Sequence, residues 1–472
     1  MADAMDSKSI DRKIMRVQLP PSALIFMQEL GEKNHTSKIE NFEIEGGRKL
    51  SGTIRTNASK NGSVGLLCAS LLNRGKTTLH GISRIEEVFR MIEVLQSIDV
   101  KIKWIAPHSV EIRVPEKFKM NKLNKDSALK TRSVIMIAGP LIHYLKSFYL
   151  PHAQGCKLGK RTVSAHIYGL EEMGVETKVT NQNYLISYKR LKPGKIVMYE
   201  SGDTASENLI SAAALVPGKT TIKFASSNYQ VQEICFFLEK LGVKIGGIGT
   251  TTISIEGVKE INTDIEYYNS EDPIESMMWI TAAIVTNSKL QITRCPIEFL
   301  ELELYKLKKM GLKYKILKTY KAQNGHTLLA DILIKPSKLK ALEDKIEARP
   351  FPGMNIDNLP FFGLIAACAK GQTLIHDWVY ENRAIYLTEL NRLNANILLA
   401  DPHRVFVQGP TEWKSAQVVC PPALRPSVVI MIAMLAGNGI SMLRNIYMIN
   451  RGYENVAERF NSIGAKIKTT QN

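Results

Sequence analysis

The chain has 472 residues, which is long enough for two or three domains, and its composition is that of an ordinary globular protein. Its formal net charge of +17 predicts an anionic partner. No zinc-finger or RNP signature accompanies the spread-out basic residues, so a phosphorylated small molecule fits at least as well as nucleic acid, and solvated surface lysines remain an alternative.

The sequence shows neither a secretory signal pattern nor an apolar run of membrane-spanning length. The first residues carry charges with no apolar stretch behind them, and the longest apolar run, 428–436, is far shorter than the ~20 residues of a membrane span. Five of the six cysteines lie in or beside apolar segments without paired spacing, which predicts reduced core thiols. We therefore expect a cytoplasmic protein with no membrane partner.

After a polar extension over residues 1–37, one pattern recurs six times. An apolar helix rich in small residues is followed by a β-type segment, an amphipathic helix and another strand. The small-residue helices are predicted at 57–72, 131–142, 203–216, 272–285, 357–369 and 424–436. The amphipathic helices are predicted at 86–102, 165–177, 230–245, 298–314, 384–397 and 454–467. Because these helices need their neighbours to complete a core, six such units predict a closed or paired arrangement.

Several of the predicted helices begin with residues that cap helix N-termini. Asp272, followed by a proline and then an acid, is an N-cap candidate, and Thr204 with Glu207 has the spacing of a capping box. Asp357 and Thr131 are predicted to cap in the same way.

Cations stand at three of the predicted helix starts: Lys60, Arg132 and Arg425. A helix N-terminus carries about half a positive charge, so a cation there is unfavourable by up to ~1 kcal/mol. Three such residues in equivalent places predict that an anion binds where these helix ends meet. The alternative is that the cations face solvent or carboxylates elsewhere.

Cys156 differs from the other cysteines because it lies between two glycines in a polar, irregular segment. A free thiol has a pKa near ~8.5, and Lys157, Lys160 and Arg161 would stabilise its thiolate. The pattern predicts an exposed nucleophile or proton donor, and the alternative is a surface cysteine without a role.

Together with Asp357, Arg383 and Arg451, these residues would supply a carboxylate, several arginines, a lysine and a thiol. That set suits general acid–base chemistry on a doubly anionic substrate. The sequence contains no P-loop, no GxGxxG after a strand and no HExxH, which argues against nucleotide hydrolysis, hydride transfer and zinc chemistry.

In their order and spacing these residues make the chain, over roughly 38–472, resemble the enolpyruvyl transferases. The matching segments are Ser59-Lys60-Asn61, Gly155-Cys156, Thr204-Ala205-Ser206-Glu207-Asn208, Pro352-Gly353 with Asp357, Glu381-Asn382-Arg383, Leu424-Arg425 and Arg451-Gly452-Tyr453-Glu454. The resemblance implies an α/β fold, a two-domain inside-out α/β barrel with six repeats of a β-α-β-α-β-β unit, three per domain. One domain would combine 38–58 with 269–472, and the other would be 59–268 and carry the Cys156 loop as a lid.

The resemblance also implies an activity. The enolpyruvyl group of phosphoenolpyruvate would move to the 3-hydroxyl of UDP-N-acetylglucosamine with release of phosphate, the first committed step of peptidoglycan precursor synthesis and a step that fosfomycin inhibits. No cofactor or metal is implied, since phosphoenolpyruvate is a co-substrate, and the protein would be a monomer or homo-oligomer.

By the same resemblance the residues take roles. Cys156 would be the general acid, Asp357 would take the hydroxyl proton, and Asn61 would orient the tetrahedral centre. The residues implied to bind phosphoenolpyruvate are Lys60, Arg132, Arg161, Arg425 and Arg451. The residues implied to bind the nucleotide sugar are Asn61, Arg132, Arg161, Ser164, His166, Asp357 and Arg383.

The departures from the family pattern fall on the acceptor side. Where the family usually has Arg-Pro-Val-Asp-Leu-His around the nucleobase, this chain has Arg-Thr-Val-Ser-Ala-His at 161–166, and it has Glu200, Asn228, Gln230 and Ala423 in place of other expected residues. An enolpyruvyl transferase with a different nucleotide or nucleotide-sugar acceptor is therefore an alternative. A catalytically silent paralogue with a binding role is another, which the joint presence of Cys156, Asp357, Lys60 and Arg451 disfavours.

Overall fold

The computed structural model describes residues 40–152 and 162–471. In these two ranges the strands form six sheets, five of four strands and one of three. Within each sheet the strands are given in the order in which neighbours pair. Three four-stranded sheets are Gln417–Val419, Gly439–Arg444, Glu40–Gly46 and Ile467–Gln471; Lys313–Lys321, Leu328–Lys335, Leu290–Pro296 and Thr53–Arg55; and Ile346–Glu347, Gly371–His376, Arg404–Gly409 and Asn396–Asp401. The other two four-stranded sheets are Lys244–Gly246, Thr252–Gly257, Gly218–Lys223 and Lys195–Val197, and Ile265–Tyr268, Thr77–His80, Ser109–Arg113 and Lys101–Ala106, and the three-stranded sheet is Ser147–Pro151, Asn183–Tyr188 and Val175–Val179.

The four-stranded sheets share one pairing pattern. In the sheet that contains Lys195–Val197, this edge strand runs parallel to Gly218–Lys223, and the other neighbouring strands are antiparallel. A parallel pair needs a long crossover, and the helix Asp203–Ala214 supplies it. The same combination of one parallel pair and two antiparallel pairs occurs in the other four-stranded sheets.

Three sheets are completed by strands distant in sequence. Glu40–Gly46 lies inside the sheet formed by the C-terminal strands, with Ile44 opposite Ile467. Thr53–Arg55 runs parallel to Leu290–Pro296, and Ile265–Tyr268 runs parallel to Thr77–His80. The chain therefore passes from one group of sheets to another and back.

The helices follow the predicted repeat with shifted ends. The α-helices are Lys60–Ala69, Glu86–Ser97, Lys125–Lys130, Ala138–Leu141, Ser164–Glu171, Asp203–Ala214, Tyr229–Lys240, Pro273–Val285, Glu301–Lys309, Leu359–Ala366, Leu424–Ala436, Tyr447–Asn450 and Val456–Asn461. The 3-10 helices are Ser70–Leu72, Met120–Lys122, Arg132–Ile137, Ile297–Phe299 and Ala384–Leu393. Within the described ranges no helix is long and apolar enough to cross a membrane.

Two predicted helices have 3-10 geometry. The helix predicted at 131–142 is a 3-10 helix, Arg132–Ile137, followed by the short α-helix Ala138–Leu141. Pro140 has no N–H to donate to the preceding turn, which disfavours a continuous α-helix here. The helix predicted at 384–397 is the 3-10 helix Ala384–Leu393.

The cap predictions had mixed outcomes. Asp272 caps Pro273–Val285 as predicted, because its carboxylate accepts from the backbone N–H of Ile274 and Glu275. The capping box is wrong: Gly202 is the N-cap residue of Asp203–Ala214, and Thr204 lies inside the helix.

The other two cap predictions are also wrong in their hydrogen bonds. Asn358, not Asp357, precedes Leu359–Ala366, and the Asp357 carboxylate contacts Arg425 instead. Thr131 precedes the 3-10 helix as predicted, but its hydroxyl donates to Glu87.

The buried apolar side chains form two clusters. One combines residues 42–54 with 274–467 and includes Tyr229, and Trp279, Phe361 and Phe460 lie fully buried in it. The members of the other all lie between Val64 and Tyr267. The described cysteines are free thiols, as predicted, and are buried except for the half-buried Cys368.

Candidate active site

The two segments that connect the clusters lie side by side. Ala58 pairs with Glu271 in an antiparallel bridge, and the Ser59 N–H donates to the carbonyl of Ser270 at 2.7 Å. The helices Lys60–Ala69 and Pro273–Val285 begin directly after these segments. The Asp272 carboxylate also accepts from the Lys60 N–H at 3.3 Å, so both helix N-termini share one capping group.

The three predicted cations stand at helix starts, as expected from the sequence. Lys60 is the first residue of Lys60–Ala69, Arg132 the first of the 3-10 helix Arg132–Ile137, and Arg425 the second of Leu424–Ala436. The hydroxyl of Ser59 caps the first of these helices by accepting from the Gly62 N–H.

Lys60 lies where several of the predicted residues meet. Desolvation lowers the pKa of its ammonium, and the neighbouring Arg425 and Arg451 lower it further, whereas Glu87 and Asp357 raise it. The cations and carboxylates of this group are therefore close enough to interact, and the site carries a concentrated positive charge next to two acids.

Asn61 is held beside Lys60 by a polar network. The Lys60 Nζ donates to the Asn61 Oδ1 at 3.1 Å, and the Asn61 Nδ2 donates to the Tyr229 hydroxyl at 2.9 Å and to the Gln230 Oε1 at 3.1 Å. Tyr229 and Gln230 thus fix the orientation of the Asn61 amide.

Asp357 faces two arginines. The Arg425 Nη2 lies 3.2 Å from its Oδ2, and the Arg383 Nη1 lies 3.9 Å from its Oδ1. Desolvation raises the pKa of the carboxyl, but Arg425, Arg383 and Lys60 outweigh it, so the pKa lies below its ordinary value. Asp357 is therefore ionised at neutral pH and able to accept a proton.

Arg425 and Arg383 are themselves buried and held. The Arg425 Nη1 donates to the Tyr453 hydroxyl at 2.5 Å. The Arg383 guanidinium donates to Asp377 at 2.5 and 3.0 Å and to the Ile356 carbonyl at 2.8 Å. Asp377 fixes the position of Arg383, and the bond from Arg383 to the Ile356 carbonyl holds the segment that carries Asp357.

Arg451 forms an ion pair with Glu87, a residue that the sequence did not single out. The Arg451 Nη2 lies 2.6 Å from the Glu87 Oε2, and Thr131 donates to the other carboxylate oxygen at 2.5 Å. Glu87 is 5 % exposed, yet Lys60 and Arg451 outweigh its desolvation and lower its pKa. The available signal was its position four residues before Met91, on the apolar side of an amphipathic helix.

Glu207 is a second acid whose state the sequence did not reveal. Its side chain is buried, and its Oε1 has no hydrogen-bond partner among the described residues. Desolvation and the nearby Asp203 raise the pKa of Glu207 well above its ordinary value, which favours the neutral form of this carboxyl. Asp203 accepts from Ser226 at 2.5 Å and from Asn228 at 3.0 Å.

Arg132 and His166 lie close enough to interact electrostatically. The Arg132 Nη2 donates to the Thr162 carbonyl at 2.7 Å. The buried His166 ring contacts Asn208 Nδ2 at 3.1 Å and Thr204 Oγ1 at 3.3 Å. Desolvation and Arg132 lower the pKa of His166 to about 3, so its imidazole is neutral and contributes no charge to anion binding.

The remaining predicted residues divide into two groups. Ser164 is half-buried and begins the helix Ser164–Glu171. Cys156 and Arg161 lie outside the described residues, as do residues 1–37 of the predicted extension.

The sequence matches the family described as EPSP synthase (3-phosphoshikimate 1-carboxyvinyltransferase) over residues 44–460. A UDP-N-acetylglucosamine 1-carboxyvinyltransferase of Treponema denticola is 32% identical over 435 residues, covering 90% of this chain and 98% of the relative. One of the same name from Bradyrhizobium diazoefficiens is 30% identical over 435 residues, covering 90% of this chain and 97% of the relative.

Solved structures share the fold. The enolpyruvyl transferase NikO from Streptomyces tendae superposes with a TM-score of 0.80 at 22% identity, and an EPSP synthase from Acinetobacter baumannii with 0.70 at 18%; each comparison covers 92% of this chain and 100% of the other. The predicted fold class is thereby confirmed. With the family match over most of its length, the chain belongs to the EPSP synthase family and is an enolpyruvyl (carboxyvinyl) transferase.

Proposed function

We propose that this protein transfers the enolpyruvyl group of phosphoenolpyruvate to the 3-hydroxyl of UDP-N-acetylglucosamine and releases phosphate, the first committed step of peptidoglycan precursor synthesis. The observation that carries the proposal is the convergence of Arg425, Arg451 and the ionised Asp357 on Lys60. The name shared by the Treponema and Bradyrhizobium relatives supports the choice of acceptor.

The cations would bind phosphoenolpyruvate through its negative groups. Lys60, Arg451 and Arg161 hold the phosphate, and Arg132 and Arg425 balance the remaining charge. In a water-poor site such fixed charges are already oriented towards the negative charge that the reaction must stabilise. Glu87 holds Arg451 in place and stays ionised beside Lys60, so it also limits how strongly the cluster binds anions in general.

The chemistry proceeds by addition and elimination. Cys156 protonates the methylene carbon of phosphoenolpyruvate, which makes the neighbouring carbon electrophilic, and the sugar hydroxyl attacks that carbon while Asp357 takes its proton. The tetrahedral intermediate then loses a proton from the former methylene carbon together with phosphate, which restores the double bond. Asn61, fixed by Tyr229 and Gln230, orients the intermediate.

The acceptor side supports a second candidate. Thr162, Ser164 and Ala165 depart from the family pattern around the nucleobase, which favours an acceptor with a different nucleotide as the alternative. Ser164, His166 and Arg383 complete the proposed acceptor site. His166 is a neutral positioning group, and Arg383 is a buried one that is ion-paired with Asp377.

The organisation of the protein is part of the proposal. The two apolar clusters would be the cores of two domains, 38–58 with 269–472 and 59–268, with substrates bound between them and the Cys156 loop closing over the site. The enzyme would act in the cytoplasm on small-molecule substrates, without a cofactor.

The proposal is tested by mass spectrometry of the product formed from phosphoenolpyruvate and a panel of uridine and other nucleotide sugars. We expect a product heavier by one enolpyruvyl group with UDP-N-acetylglucosamine. If phosphate is released only with a different nucleotide sugar, the alternative is established. If none of the acceptors in the panel supports phosphate release, both proposals are contradicted.

Two variants test the roles. Asp357→Asn keeps the shape of the side chain and removes its charge, so kcat should fall by about 10²-fold or more while binding of phosphoenolpyruvate persists; weak binding with normal turnover would contradict the assignment. Cys156→Ser should abolish alkylation by an epoxide phosphonate and sharply reduce turnover, and the buried Cys295→Ser is its control. Full activity of Cys156→Ser would remove the thiol from the mechanism.

A further inference from the structure

Two exposed tyrosines are in contact beside the acceptor-side residues. The side chain of Tyr168 is 48% exposed and that of Tyr199 is 73% exposed. Their ring centroids are 5.5 Å apart and the ring planes meet at 78°, which is an edge-to-face pair. In this geometry each ring keeps area that can stack on a further aromatic group.

The position of the pair follows from the contacts around it. Tyr168 lies one turn after Ser164 on the helix Ser164–Glu171, so both residues are on the same helix side. His166 of this helix contacts Thr204 and Asn208 of the helix Asp203–Ala214. Tyr199 precedes that second helix by four residues, and these contacts therefore bring the two tyrosines together.

The same contacts connect the pair to the candidate active site. Arg132 donates to the carbonyl of Thr162, two residues before the helix that carries Tyr168 begins. At the other helix, Asp203 raises the pKa of Glu207, and Lys60 opposes that increase. The tyrosine pair thus lies next to the acceptor-side segment and one helix away from the charges around Lys60.

The tyrosines also stand where the chain departs from its family's pattern. Ala165 replaces the leucine of that pattern, and it is 4% exposed, so it offers almost no apolar surface to a ligand. Tyr168 is three residues later on the same helix, where it can supply the apolar area that Ala165 lacks.

We propose that Tyr168 and Tyr199 form the stacking surface for the nucleobase of the acceptor nucleotide. This inference rests on the proposed function and adds two nucleotide-binding residues to it. Stacking of a base on an aromatic side chain tolerates different bases, because every base has a π-face. The pair therefore binds a nucleotide sugar through the area of its base, and the alternative acceptors differ in how completely they cover the rings.

The test compares the kinetics of Tyr168→Ala and Tyr199→Ala with those of Tyr168→Phe and Tyr199→Phe. Loss of one stacking ring should raise KM for the nucleotide sugar by about 5- to 150-fold, while the phenylalanine variants keep the ring and stay within about threefold of the original protein. The KM for phosphoenolpyruvate and kcat should change by less than about threefold, because the rings do not contact the reacting atoms. Tyr305→Ala is the matched control, since Tyr305 is 56% exposed and lies on the helix Glu301–Lys309, which packs in the other apolar cluster.

Failure of this inference can be told from failure of the proposed function. If the enzyme makes product and the alanine variants keep the original KM for the nucleotide sugar, the stacking role is wrong and the activity stands. If no acceptor is used, titration calorimetry with UDP, ADP and the alanine variants decides the stacking role. Nucleotide binding that weakens by at least about fivefold in both alanine variants supports it, and unaltered binding or no binding to the original protein overturns it.

Discussion

Glu233 should make the stability of this protein depend on pH in a way that one substitution removes. Its carboxylate, 4% exposed, accepts from the Ser270 N–H at 3.3 Å and from the Asn324 Nδ2 at 3.1 Å. Desolvation is the largest cause that raises its pKa from 4.5 to about 7. It lines a small cavity of about 10 Å³ together with Ser270 and Glu271.

The sign and size of the effect follow from proton linkage. The pKa of Glu233 is higher in the folded than in the unfolded state. Its contribution to the free energy of unfolding is therefore fully present below about pH 4.5 and is lost as the pH rises through 7. The difference between 4.5 and about 7 corresponds to about 3 kcal/mol, at about 1.36 kcal/mol per pKa unit. With about 2.1 cal/mol/K of unfolding entropy per residue, that is a shift of about 3 °C in Tm if residues 40–471 melt together.

The measurement is differential scanning calorimetry of the original protein and of Glu233→Gln between pH 5 and pH 8. The fall in Tm over this range should be about 2 to 3 °C smaller in the variant, because glutamine does not ionise. Glu239→Gln, at an exposed position on the same helix, is the control and should follow the original protein. Equal pH dependence in the original protein and Glu233→Gln would refute the reasoning.

Two further predictions concern packing. In Gly139→Ala the new methyl group would overlap the backbone oxygen of Asn208, so Tm should fall by the equivalent of about 1–3 kcal/mol. In the control, Gly194→Ala, the methyl group meets open space and Tm should not change. Equal Tm values for the two variants would contradict the predicted overlap. Trp279→Ala should reduce the free energy of unfolding by about 3–5 kcal/mol, because Trp279 is fully buried against Phe460 and its removal leaves a cavity. The loss is measured from the shift of the urea midpoint. A loss below about 1 kcal/mol would contradict this prediction and mean that the neighbouring side chains collapse into the cavity.

The sequence predicts this fold well because hydrophobic period and small-residue content determine the helices locally. Lys60 and Arg425 were placed at helix starts from sequence alone, and the structure has them there. The errors fall where local rules compete with tertiary contacts. Thr204 has capping chemistry, but its hydroxyl is turned to His166, and Asp357 is drawn away from a helix end by Arg425.

The candidate site was predictable in its cations and less so in its acids. A cation at a helix N-terminus is visible as an anomaly in the sequence, because the helix start is recognisable there. The state of Glu87 and Glu207 depends on burial and on neighbours far away in sequence. The pKa of Glu87 is lowered because Lys60 and Arg451 face it, whereas the pKa of Glu207 is raised because desolvation and Asp203 prevail. The hydrophobic periodicity of the sequence does not distinguish these two outcomes.

The chain passes from one group of sheets to another and back, and this has a consequence for biosynthesis. The apolar cluster from Val64 to Tyr267 uses only residues from this stretch of the chain, so it can assemble while the ribosome is still adding the last two hundred residues. The strand Glu40–Gly46 must wait much longer, because both of its neighbours, Gly439–Arg444 and Ile467–Gln471, are made last. Until then its unpaired edges are exposed to other nascent chains, and a truncated translation product would leave them without a partner.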